Sequence, residues 1–283
     1  MLGAFDLNTE RLQKLCEETH IPRRYATAED LYADPDIEAV YIAVPNKFHA
    51  PLSIQALEAG KHVILEKPFA FTHAEAQSVV ETAERCGKVF TVGMNQRFNA
   101  DSLKVRHLVE QGVLGEIYHA KAYWFRRNGI PKLGTWFGKR EIAGGGCLYD
   151  IGVHMLDLCL FAMDNFEPVS VSGVTYTKFG NRGLGEGGWG HSERQFEEFD
   201  VEDFASALIR FANGASVSLD VTWARHAAEG NDNDVELFGT EAGASCYPAR
   251  LFRYGQKPGE YEVVDHPQAE LPYTADRFHN FIN

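Results

Sequence analysis

AVYIAV at residues 39–44 is an unbroken apolar run of strand length, and its reading decides the fold. A run of this kind suits a parallel strand buried on both faces, because strands with one wet face alternate instead. The flanking sequence agrees. Residues 2–6 form a strand stub, and residues 8–20 read as a helix with Leu12, Leu15 and Cys16 on one side. A second helix runs from the apolar stretch toward Gly60, a residue suited to ending it. Residues 63–65 make the next strand, leading into Glu66-Lys67-Pro68. Thr72 and Glu75 have the spacing of a capping box, opening a helix that stops at Gly87 before a strand at 89–94. Strands alternating with helices at this spacing predict a doubly wound parallel sheet.

Beyond about residue 100 the grammar changes. One helix (101–112) and another within 144–162 stand among strand patterns at 116–126, 169–177, 203–211, 215–223, 234–238 and 250–254. Asn213-Gly214 between two alternating strands is a hairpin signal. These patterns predict a largely antiparallel sheet with helices on one face. The expected division is therefore a first domain over 1–100 and a second over 101–283. Residues 183–190 and the acidic stretch 193–203 read as one long surface loop.

Composition narrows the classes. The chain has 283 residues, 45% of them hydrophobic, and a formal charge of −13 without a basic run, which argues against nucleic acid or an anionic membrane as partner. Five scattered cysteines without a C-x-x-C pair fit reduced thiols and a cytoplasmic location. No uninterrupted apolar run approaches the roughly 20 residues of a membrane span.

GGGCLYDIGVHMLD, residues 144–157, carries the chemistry. In a helix beginning after the glycines, Asp150, His154 and Asp157 share one face, while Leu148, Ile151, Met155, Cys159 and Ala162 form an apolar stripe. A carboxylate one turn before an imidazole suits proton transfer, since histidine titrates near neutral pH and the acid can orient the ring. The same spacing also arises on an ordinary polar helix face. It also offers ligands to zinc or manganese as a lesser alternative, although no second liganding cluster accompanies it.

Both ends read as cut. A doubly wound nucleotide domain opens with a strand and a G-x-G-x-x-G turn whose helix N-terminus holds the pyrophosphate. Here the first strand resembles the second of such a domain, with Asp6 at its end. That glycine spacing occurs once, at residues 183–188, where a polar acidic run follows in place of a helix, so it reads as a decoy. Residues 274–283 begin an amphipathic pattern with Phe278 and Phe281 and stop mid-turn. The expectation is a fragment, or a mis-started reading, of a longer chain. A stop codon just upstream of Met1, with no glycine-rich turn encoded, would refute it.

Several segments taken together resemble one family: Asp36 through Pro45-Asn46 with His49, Gly60-Lys61-His62-Val63 leading to Glu66-Lys67-Pro68, Val92-Gly93-Met94-Asn95-Gln96-Arg97-Phe98, and Gly144 through Asp157. The family is that of NAD(P)-dependent sugar and polyol dehydrogenases named for glucose–fructose oxidoreductase, inositol dehydrogenase and MocA (Gfo/Idh/MocA). The resemblance implies an incomplete Rossmann-type doubly wound parallel sheet, followed by a C-terminal α/β domain with a large, mostly antiparallel open sheet. It implies Lys67, Asp150 and His154 as the catalytic trio, with His154 as general base, and hydride exchange between a sugar, inositol or related polyol and nicotinamide. Asp6, Pro45, Asn46, His49, Glu66 and Lys67 would contact NAD. NADP is less favoured, since the Asp6 carboxylate would repel a 2′-phosphate. Asn95, Gln96, Trp136 and His154 would face the substrate, no metal is implied, and the open sheet would pair copies into a homodimer or homotetramer. Two other functions remain open on the same residues: NAD-dependent glycoside hydrolysis, and a cofactor- or sugar-sensing protein, or inert fragment, without catalysis.

Overall fold

The computed structural model describes residues 1–188, 198–267, 278 and 281. It contains two compact units, Met1–Gly93 and Met94–Asn283. Of the terminal pattern at 274–283 only Phe278 and Phe281 are described, both helical; the rest lies outside the described residues, as do residues 193–197 of the acidic stretch.

The first unit alternates strand and helix. In order it contains β1 (Gly3–Ala4), α1 (Thr9–Thr19), β2 (Arg23–Arg24), α2 (Ala28–Ala33), β3 (Ala39–Ile42), α3 (His49–Glu58), β4 (His62–Leu65), α4 (His73–Cys86) and β5 (Phe90–Val92). All pairings are parallel, but they form two sheets, β1-β2 and β3-β4-β5. Each has its own apolar cluster: Ala4, Leu12, Cys16 and Ile21 under the first, and Val40, Ile42, Ala56, Leu57, Val63, Leu65 and Val79 under the second. Local chemistry sets the helix ends. Asn8 accepts from the Arg11 N–H, Thr72 accepts from Glu75 N–H, and Glu75 reaches back to Phe71 N–H. The buried Lys61 ammonium donates to the carbonyls of Asp34 (2.8 Å) and Ile37 (2.7 Å), fastening the turn before β3. One expectation is corrected. In β3 burial alternates, with Val40 and Ile42 inside and Tyr41 39% exposed, because only one of its faces is covered. The strand lying deep on both faces is β4, where Val63, Ile64 and Leu65 are all buried.

The second unit is one eight-stranded sheet with helices on one side. Its elements are α5 (Ala100–Glu110), β6 (Ile117–Arg126), α6 (Arg140–Ala143), α7 (Val153–Met163), β7 (Pro168–Tyr176), β8 (Phe204–Phe211), β9 (Ser216–Thr222), β10 (Asn231–Gly239), β11 (Gly243–Cys246), β12 (Ala249–Tyr254) and β13 (Tyr261–Asp265). The strand order is β13-β12-β11-β10-β6-β9-β8-β7, antiparallel except for the β6–β9 pair. Gly214, at φ +90°, makes the β8–β9 hairpin, where Asn213 accepts from Ala215 N–H. Ala120, Ala122, Val217, Leu219, Val221, Val235 and Leu237 meet Val105, Met155, Leu158 and Ala162 of the covering helices. The longest apolar helical stretch among the described residues, Arg140–Met163, therefore belongs to this core. All nine residues of β7, at the sheet edge, are exposed, Val169 and Val171 each by 65%.

The predicted long surface loop is only partly one. Its described end goes inside: Val201 and Asp203 are 0% exposed and Glu202 6%. Acidic composition suggested solvent, but backbone N–H groups claim both carboxylates.

Candidate active site

In the second unit the chemistry-bearing segment is built on close backbone approach. A Cβ on Gly146 would lie 1.9 Å from the carbonyl oxygen of Glu202, so only glycine fits there. The Glu202 carboxylate accepts from Gly146 N–H (2.8 Å) and Leu148 N–H (3.1 Å), while Cys147 N–H donates to the Glu202 carbonyl (3.0 Å). One glutamate thus caps the start of the helical segment. The sequence predicts a continuous helix here. The structure instead has a π turn over Leu148–Gly152 before α7, a form that recurs at functional sites.

The expected common face of Asp150, His154 and Asp157 resolves into distinct roles. Asp150 lies in the π turn and accepts from the indole N–H of Trp223 at 2.8 Å. His154, 9% exposed, is in the first turn of α7, with its ring 6.3 Å from that of Trp124. Trp124 is itself held by its N–H donating to Asn231 (2.8 Å). Asp157 takes the guanidinium of Arg97 in a two-pronged pair at 2.7 and 2.5 Å, an arrangement that ties the Asn95–Phe98 turn to α7. A carboxylate so engaged is a poor metal ligand. Among the described residues no group of three His, Cys, Asp or Glu gathers.

Gln96 accepts from the Tyr247 hydroxyl at 2.6 Å, which fixes its amide, and Asn95 beside it is exposed. Trp136 stacks on Phe137 (3.9 Å, 21°) in a short turn, Trp136–Gly138, with both rings half-buried. Sequence reasoning missed Trp223, Trp124, Arg126 and Glu202. Strand alternation could have grouped Trp124 and Arg126 with Ala120 and Ala122, but Trp223 and Glu202 are joined to the site only by the fold. The decoy spacing at 183–188 is structural: Gly129 and Ile130 N–H groups donate to the Gly185 carbonyl, and Glu186 accepts from Leu133 N–H.

In the first unit the nominated residues stand at carboxyl ends of parallel strands, where open α/β sheets bind ligands. Asp6 follows β1, accepts from Asn8 N–H and keeps its side chain 30% exposed. Pro45 and the buried Asn46 follow β3; Glu66 and Lys67 follow β4. Glu66 accepts from the Tyr41 hydroxyl and from Lys67 N–H. His49 is 1% exposed, its ring nitrogens 2.6 Å from the Pro68 carbonyl and 2.9 Å from that of Val44. Burial pushes its pKa down against the pull of those carbonyls, so the ring is a tie between two strand ends. An acceptor carboxylate at one strand end, and amide, carboxylate and ammonium at the others, fit the ribose and nicotinamide ends of a dinucleotide.

Comparison with known proteins agrees. Residues 1–94 match the sequence model of the oxidoreductase family with an NAD-binding Rossmann fold, and residues 102–245 match the GFO/IDH/MocA C-terminal domain. The chain belongs to the Gfo/Idh/MocA oxidoreductase family. It is 37% identical over 227 residues to D-glucoside 3-dehydrogenase of Escherichia coli, covering 78% of this chain and 62% of that protein. To levoglucosan dehydrogenase of Pseudarthrobacter phenanthrenivorans it is 33% identical over 220 residues, 74% of this chain and 55% of the other. The chain thus spans less than two thirds of either relative. A solved levoglucosan dehydrogenase in complex with NADH and levoglucosan superposes with a TM-score of 0.82 at 26% identity, over 94% of this chain and 70% of that one.

Proposed function

We propose that the protein is an NAD-dependent sugar dehydrogenase, oxidising a secondary alcohol of a sugar, inositol or related polyol. NAD, when bound, supplies the hydride acceptor; Asp6, Pro45, Asn46 and Glu66 would hold it, with His49 bracing the Pro45–Asn46 turn. His154 would accept the hydroxyl proton of the alcohol being oxidised. Asp150 orients the imidazole, and Lys67 donates to the reacting oxygen, stabilising its developing negative charge. Asn95, Gln96 and Trp136 would face the sugar. The observation that carries this reading is Asp150, held by Trp223, one turn before a nearly buried His154.

The test is NADH formation by the purified protein on D-glucosides, levoglucosan and inositols, beside a thermal-shift titration with NAD and NADP. NADH from at least one sugar, with a larger melting shift from NAD than from NADP, is expected. No NADH and no shift would overturn the reading, as would release of nitrophenol from a nitrophenyl glucoside without net NADH.

Two expected outcomes follow from the geometry. Trp223→Phe removes the donor to Asp150 while keeping a large ring, and should lower kcat about 10-fold with little change in KM, measured by steady-state kinetics. The exposed valines of β7 and the sheet face that the described residues leave open support assembly of copies. Size-exclusion chromatography should then give at least twice the chain mass of 31.6 kDa.

A further inference from the structure

Arg126 ends β6 on the face that carries Ala120, Ala122 and Trp124, the face covered by α7. Its guanidinium lies over the Trp124 ring, 4.5 Å from the centroid. Gly129 leaves room for its stem, since a Cβ there would come within 2.3 Å of the Arg126 Cδ. Arg97 and Arg106 each hold a carboxylate directly. Arg126 donates to no acceptor among the described residues, and the opposite charge acting on it through space is that of Asp150. Burial lowers its pKa and the Asp150 charge opposes this. A half-buried guanidinium whose planar fork of donors no described residue uses, beside the nominated base, is set up to receive oxygens from outside the chain.

We propose that Arg126 is a specificity-determining substrate contact whose fork takes two neighbouring hydroxyl oxygens of the sugar ring being oxidised. The substrate class is then a neutral cyclic polyol with a vicinal diol. This rests on the dehydrogenase reading above. Trp124 touches both the guanidinium and the His154 ring, which brings fork and base within the span of one hexose. Asp150 favours neutral oxygens over an anion, because an incoming carboxylate or phosphate would meet its charge as well as that of Arg126. The fork also explains why arginine, rather than lysine, would be needed: two hydroxyls on adjacent carbons match parallel N–H donors, and a point charge does not.

The experiment compares the unaltered protein with Arg126→Lys and Arg126→Met on methyl β-D-glucoside, its singly deoxygenated derivatives and methyl glucuronide. Readouts are kcat/KM and sugar binding by quenching of tryptophan fluorescence in the presence of NADH. The variants should lose about 10- to 100-fold in kcat/KM for the parent sugar, mostly through KM. For a derivative lacking a contacted hydroxyl they should match the unaltered protein. This ratio across the series is insensitive to partial unfolding, which lowers all substrates alike. A deoxygenation penalty unchanged by either substitution overturns the proposal, as does a loss confined to the glucuronide. If the unaltered protein binds sugars without making NADH, the dehydrogenase reading fails, and the quenching series alone decides the role of Arg126. If it binds none, both fail.

Discussion

His154→Ala should lower kcat by about a thousand-fold while NADH still binds, because a positioned general base contributes on that scale and the residues proposed to hold the dinucleotide lie elsewhere in the chain. The measurement is NADH production at saturating sugar, with cofactor affinity followed separately by fluorescence of bound NADH. The pH dependence supplies a second check. The unaltered protein should gain activity as pH rises and the imidazole loses its proton, and the variant should lose that inflection. His154→Gln, which retains size and polarity, should be no better than alanine, since an amide cannot accept the hydroxyl proton. A variant within a few-fold of the unaltered protein would remove His154 from the chemistry and leave it as a packing residue of α7.

The largest expected effect on stability comes from Asp203→Ala. Asp203 is fully buried, and its carboxylate accepts from the backbone N–H groups of Lys178, Phe179 and Gly180 at 2.6–3.0 Å. Removing it leaves those donors, partly buried at Lys178 and Phe179 and buried at Gly180, without their partner, at a cost of about 3–5 kcal/mol. For a unit of this size that is a fall in Tm of roughly 10 °C, read by calorimetry or circular dichroism. Asp203→Asn keeps an acceptor oxygen and should recover part of the loss. Equal melting temperatures for all three proteins would show that water replaces the carboxylate at no cost.

Much of the fold was legible because it rests on local rules. The capping residue Thr72, the Asn213-Gly214 hairpin and the alternation along β8 and β9 all speak through neighbours in sequence. The short pieces β2, α2, β11 and β13 were not anticipated: two to six residues carry too little periodicity to show. In the site, Asp150 and His154 were visible by spacing and by family resemblance, whereas their supports were not. Trp223 is 73 positions from Asp150, and Glu202 is 56 from Gly146. An acidic stretch reads as solvated surface until the fold supplies the amides that draw it in. Asp157 shows the converse, since its spacing suggested chemistry and its partner, Arg97, makes it an anchor.

The π turn at Leu148–Gly152 amounts to one residue too many in an otherwise α-helical rod. Deleting a residue between Cys147 and Val153 would let the rod relax to its ordinary pitch. Everything upstream of the cut would then swing about 100° around the axis relative to His154. Asp150 would leave the indole of Trp223, and the glycines would leave their seat on Glu202. The distance in sequence from triple glycine to imidazole is thus an indivisible length, which insertions or deletions elsewhere on the surface cannot compensate.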